Sequence, residues 1–197
     1  MLAQGFKGLP LARLCTGGDA ANMIDPIRYP LGEYVWNPAE FPKRKHAWIK
    51  QIAELPRRLR AAVKYLKPKQ LDTPYRDGGW NVRQVVHHMA DSHMQSMFRI
   101  KLALTEDLPI VKPYDQDGFA ALSDSLKAPI EPSLALLDSL HARWALLFKS
   151  LRSVQWQRDF CHPDAGRISV ARALSHYAWH GRQHTAHIVG LRKRKDW

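Results

Sequence analysis

Two cysteines are all the sequence contains, Cys15 and Cys161, far apart and outside any Cys-x-x-Cys pair. That scarcity excludes a disulfide scaffold and a cysteine-ligated zinc ribbon, and it suits a reducing cytoplasm. No apolar run approaches the roughly 18–20 residues that span a bilayer, so no membrane segment is expected. Internal repeats and low-complexity tracts are also missing. Acidic residues are the minority, 18 Asp and Glu against 30 Lys and Arg, for a formal net charge of +12. Such an excess can mark an acidic partner such as nucleic acid. Here, however, the positive residues are dispersed, apart from the Arg192–Lys195 run, and no aromatic-basic interleaving or nucleic-acid module accompanies them. A solvated basic surface is therefore expected, and nucleic-acid binding is not.

The 197 residues, 45% apolar and 24% charged, describe one globular domain able to bury a substantial core. Residues 1–22 differ from the rest, with four glycines and no sustained period. They are expected to be a dispensable, disordered extension ahead of a domain spanning 23–197. Four prolines within 24–42 exclude regular helix there and predict an extended arm. A helix fits 43–66, where Trp48, Ile52, Leu55, Leu59, Val63 and Leu66 recur at helical spacing; Pro56 inside it predicts a kink or break. Asn81 and Gln84 form a capping box for a second helix running to about Thr105. Residues 106–131 read as a long connection with one short helix near 115–124. Pro132 opens a third helix over about 132–151, and Ser169 caps a fourth over about 170–192. A small β-hairpin is expected around Pro163–Gly166, just before that last helix. The fold class is all-α, a four-helix bundle.

The last helix concentrates four of the ten histidines: His176, His180, His184 and His187. His180 and His184 are four apart and share a face, the spacing that lets two imidazoles close on one metal ion. The bland alternative is a pair of surface or core-filling histidines. A third ligand would have to come from the second helix, which carries His87, His88 and His93. At about 100° per residue, His88 falls to the same side of its helix's apolar stripe as His180 and His184 do of theirs, whereas His93 lies near the stripe's centre. Offsets of this kind leave His88 and His93 both open as ligands, with a satisfied core histidine as the competing reading for His93. His87 and His176 read as solvated, and His187 as a side chain near the ligand face.

Several segments resemble one family in the order of the chain. They are YPLGEY at 29–34, LDTPYRDGGWNVRQVVHHMADSHMQS at 71–96, RIKLALTEDLP at 99–109, IVKPYD at 110–115, LLDSLHARW at 136–144, FCHPDAG at 160–166 and YAWHGRQHTAHI at 177–188. Together they are similar to the DinB-like superfamily, within it the YfiT-like metal-dependent hydrolases. The resemblance implies a four-helix bundle, a homodimer and one divalent ion per subunit, zinc first and nickel second, held by His88, His180 and His184. It selects His88 over His93 because Trp80 stands eight residues before His88, as in the family pattern. Two positions depart from it: Gln183 stands where relatives often carry a further histidine, and Cys161 where they often carry an aromatic residue.

Three neutral imidazoles would leave the ion its full charge, enough to acidify a water towards a pKa of about 7. The expected function is hydrolysis of a small molecule. The alternatives are a thiol S-transferase that activates a low-molecular-weight thiol, and a non-enzymatic metal-binding or basic-surface protein. Asp91 is a candidate orienting or proton-accepting group, and Tyr75, Arg76 and Trp80 are candidates for the pocket mouth. Because only neutral imidazole binds metal, affinity is expected to fall below about pH 6.

Overall fold

The computed structural model describes residues 25–197; the expectation for residues 1–22 lies outside them. Four long helices form the bundle: α1 (Phe41–Val63), α3 (Val82–Thr105), α6 (Glu131–Ser150) and α7 (Val170–Lys195). Between them lie three one-turn helices, α2 (Pro68–Leu71), α4 (Gln116–Ala120) and α5 (Ser123–Lys127), and a two-stranded antiparallel hairpin, β1 (Asp159–His162) with β2 (Gly166–Ser169). The all-α bundle and the hairpin before the last helix are as the sequence predicts. Around the bundle the order is α1, α6, α3, α7, so α1 faces α3 across the core and α6 faces α7. Consecutive long helices are therefore not all neighbours, unlike a simple up-and-down bundle. None of the described helices is long and apolar enough to cross a membrane.

Local chemistry sets most boundaries. The Asn81 side chain accepts from the Gln84 amide at 2.8 Å while the Asn81 amide donates to the Gln84 side chain at 3.0 Å, satisfying two of the orphan donors at the start of α3. Ser169 caps α7 through its hydroxyl on the Arg172 amide. Helix α1 stops at Val63, three residues earlier than its apolar period suggests, because Tyr65 takes a left-handed φ of 65°. Pro56 does not break α1, which runs through it with the proline buried. The long connection holds two short helices instead of one, since Leu122 is extended between them. Strand β1 pins that connection: the Val111 amide donates to the Cys161 carbonyl, and the Cys161 amide to the Pro109 carbonyl.

The arm before α1 lies on α7. Gln183 accepts from the Leu31 amide at 3.0 Å and donates to the Arg28 carbonyl at 3.1 Å, and His187 Nε2 donates to that same carbonyl. The departure from the family pattern at Gln183 is thus a buried staple between arm and bundle. At the far end of α7, Arg192 donates to the Ala62 and Lys64 carbonyls and so closes the end of α1.

The apolar core divides into two clusters. One gathers Ile52, Met97, Ile100, Trp144, Phe148 and Leu174; the other gathers Leu55, Leu59, Val85, Met89, Leu137 and Ile188. On each long helix the break between clusters falls at the same level, and on α3, α6 and α7 histidines occupy it.

Gly181 sits at that level, against α1. A Cβ there would lie 2.5 Å from Cδ2 of Leu55, whose side chain is itself buried. Gly181→Ala is expected to cost about 1–3 kcal/mol in overpacking. The gain in helix propensity of about 1 kcal/mol offsets part of it. Thermal unfolding should show a midpoint lowered by a few degrees; a raised midpoint would show that Leu55 gives way freely.

Candidate metal centre

His88 projects from α3, and His180 and His184 from α7. Nε2 of His180 lies 3.3 Å from Nε2 of His88 and 3.1 Å from Nε2 of His184. One potential ligand atom from each residue falls within 4.8 Å of the others. Antiparallel packing of α3 and α7 makes this happen, because His88 at its level meets the one-turn pair opposite. Trp80, at the entry to α3, packs its ring on His88 at 4.5 Å and stacks over His184 at 6.5 Å.

The other candidates separate. His93 is wholly buried but lies behind His180: its Nε2 is 3.0 Å from His180 Nδ1, and its Nδ1 is 2.8 Å from His141 Nε2. His141 in turn places Nδ1 2.7 Å from the Ile52 carbonyl. Sequence reasoning missed His141, although it sits between Leu137 and Trp144 on the buried stripe of α6, a position that should have drawn notice. The solvated readings of His87 and His176 are overturned. His87 is buried, with Nδ1 2.8 Å from the Ser133 hydroxyl, because α6 covers that side of α3. His176 is half-buried beneath the arm, its ring 4.8 Å from that of Tyr34. His187 stacks on Tyr75 at 4.2 Å and holds the arm. Arg76 donates to the Tyr75 hydroxyl. Asp91 is half-buried, and burial pushes its carboxyl above the usual range. No hydrogen bond joins it to an imidazole among the described residues. Cys161 lies in β1, away from the triad.

Burial governs the charge of this layer. It pushes His88 down to about 3, His141 to about 4 and His176 to about 4. His180 and His184 are held well below an ordinary imidazole, first by burial and then by the neighbouring imidazoles. All three members of the triad are thus neutral at physiological pH, the form that binds metal.

The spacing also fits a cation. Two imidazole nitrogens at 2.0–2.1 Å from a tetrahedral zinc lie about 3.3–3.4 Å apart. The two contacts of His180 Nε2, 3.3 and 3.1 Å, are close to that. Without a cation, His180 Nε2 carries at most one lone pair and cannot satisfy both neighbours as donors. His88, His180 and His184 could therefore hold one divalent ion through Nε2 and leave a further coordination position open.

Known proteins resemble this chain over most of its length. Residues 51–188 match the family described as the DinB superfamily. A protein of Bacillus cereus (strain ZK / E33L) named "Putative metal-dependent hydrolase" is 51% identical over 174 residues, 88% of this chain and 100% of its own length. A Bacillus anthracis (strain A0248) protein of the same name is 50% identical over the same spans. The solved structure of YfiT from Bacillus subtilis, described as "a probable metal-dependent hydrolase with an unusual four-helix bundle topology", superposes with a TM-score of 0.85 at 47% identity. It covers 87% of this chain and 99% of its own.

The buried histidines make stability depend on pH. In the unfolded chain an imidazole takes up a proton near pH 6.5, whereas His88, His141 and His176 stay neutral in the fold down to about 3, 4 and 4. The unfolded state binds more protons in that window, so stability falls as pH drops from 6.5 towards 4. These three alone amount to about 4 kcal/mol per pH unit. Chelator-treated protein is expected to hold a constant urea midpoint above about pH 7 and to unfold between about pH 6 and 4. A midpoint unchanged at pH 5 would refute the buried neutral layer. The limit near pH 6 expected for metal binding shifts accordingly: protons compete with a cation for the native imidazoles only well below it.

Proposed function

The chain belongs to the DinB superfamily, and from that membership we propose that it is a hydrolase acting on a small molecule through one divalent cation held by His88, His180 and His184. The cation is zinc first and nickel second. The observation that carries this is the convergence of three neutral Nε2 atoms beside a substrate-sized cavity. A cation bound there would supply Lewis acidity, enough to bring a water's pKa down to about 7.

The chain's own residues describe the other end of the substrate. A cavity of about 290 Å³ includes His180 in its wall and follows the groove between α3 and α7. On α3 the cavity takes Ser92, Ser96 and Arg99, in the turns that follow His88; on α7 it takes His180, His176 and Arg172, in the turns that precede His184. Both rows lead away from the triad and end in an arginine. Arg99 is 8% exposed, donates to the Lys112 carbonyl and forms no ion pair among the described residues. A buried guanidinium without a carboxylate is costly unless an anion visits it. The carboxylates of Asp115, Asp117 and Asp164 stand at the exposed rim, in water. The groove therefore favours a substrate with an anionic end, a carboxylate or phosphate, seated about 16 Å of helix rise from His88. A homodimer, carried over from the same family, is read by light scattering.

Metal analysis of the purified protein should give one equivalent in the wild type and little in His88→Ala or His180→Ala; unchanged content in both would overturn the ligand set. Esters and amides with and without a distal carboxylate, each assayed with and without a low-molecular-weight thiol, test the chemistry. Turnover only with thiol would replace hydrolysis by thiol transfer. Arg99→Gln is expected to raise KM for the carboxylate-bearing substrate by about 10–100-fold, with kcat changed far less. Equal effects on the neutral analogue would refute the anion seat.

A further inference from the structure

Pro56 has no backbone N–H, so the carbonyl four residues earlier, that of Ile52, lacks its helical donor. Ile52 is wholly buried, and water does not reach that oxygen. His141 from α6 takes the vacant place, with Nδ1 at 2.7 Å. A carbonyl only accepts, so the hydrogen of His141 sits on Nδ1. A wholly buried imidazole without a carboxylate partner is neutral, which leaves Nε2 of His141 bare. Nδ1 of His93, 2.8 Å away, must then donate to it, which leaves Nε2 of His93 bare in turn. Nδ1 of His180, at 3.0 Å, donates to that nitrogen. One consequence is left: Nε2 of His180 carries a lone pair, and it is the atom facing His88 and His184.

We infer that Pro56, His141 and His93 form a positioning relay that starts at the Ile52 carbonyl and locks His180 as the Nδ1–H tautomer, its Nε2 aimed at the triad. The proline is the origin of the relay, because it frees the acceptor on which every later proton position depends. Each imidazole comes from a different helix than the one before it, so the relay also fixes α1, α6, α3 and α7 at one level. The tautomer follows from the hydrogen bonds alone; its consequence for metal affinity rests on the triad reading of the proposed function. A ligand imidazole held by a hydrogen bond at its other nitrogen is both oriented and more basic, and losing such a partner typically weakens metal binding 10–100-fold.

Two readouts test this separately. Nitrogen-15 NMR of the metal-free protein at pH 7.5 should show His180, His93 and His141 each protonated at Nδ1. An Nε2–H signal from His180 would overturn the relay. Zinc titration against a chromophoric chelator should then show His141→Phe binding about 10–100-fold more weakly than wild type, with His180 divided between tautomers. His141→Gln, whose amide can donate to Ile52 and accept from His93, should restore both readouts to within a few-fold. Pro56→Ala should lose less than His141→Phe, since a carbonyl can accept from two donors. If His141→Phe keeps both the wild-type tautomer and the wild-type affinity, the relay plays no positioning role. Should His141→Phe fail to fold, the wild-type tautomer and the two milder variants still decide. A wild type with the expected tautomers that takes up no zinc would support the relay and sink the metal reading instead.

Discussion

Everything in this molecule depends on keeping a layer of imidazoles uncharged in the middle of a helical bundle. His93, His141, His180 and His184 lie where the two halves of the apolar core meet, with His88 and His176 a turn to either side, and burial holds each below an ordinary histidine. A neutral imidazole costs least there where its N–H finds an acceptor, as at His141, His93 and His180; Nδ1 of His184 has none. The bundle supplies one for its central histidines by an unusual route, a carbonyl released by a proline in mid-helix. The same proline that is costly in an isolated helix is therefore matched to α1, since the acceptor it frees is filled by His141.

The layer also explains the crossing of the helices. α3 must bring His88 to α7 and His93 behind it, while α6 must reach both α1 and α3 through His141. Only an order in which α6 lies between α1 and α3, and α7 closes the ring on the other side, meets those demands. Gly181 completes the fit, because the absence of a side chain beside His180 lets α7 settle against Leu55. The arm then covers α7 from outside through Gln183 and His187, and Tyr34 from the arm's end lies over His176. The relatives' shared description as metal-dependent hydrolases is thus matched here by a histidine cluster whose spacing, charge state and support suit a cation.

Much of this was legible from the residues. The four long helices followed from periodicity and caps, Asn81 and Ser169 doing locally in the structure what their positions suggest. The His180–His184 pair was visible because helical spacing places i and i+4 on one face whatever surrounds them. His88 could not be separated from His93 by wheel angle, since an offset says nothing of which helix faces which; the family pattern made that choice. His87 and His176 were misread as solvated because α6 and the arm, which cover them, come from distant parts of the chain. That Pro56 leaves α1 unbroken was not legible, because its compensation comes from a residue 85 positions later, His141.

By itself the sequence determined the helices, their caps, the i, i+4 histidine pair and, through its resemblance, the family: all are properties of short stretches or of their order. Tertiary structure alone decided which nitrogen of which histidine meets which partner. It joined Ile52, His141, His93 and His180 into one line and set two arginines at the end of the groove that leads from the triad. The physical reason is the range of the forces involved. Propensity and capping act within a turn of helix, whereas a proton's place on a buried imidazole is set by whatever acceptor packing brings within about 3 Å.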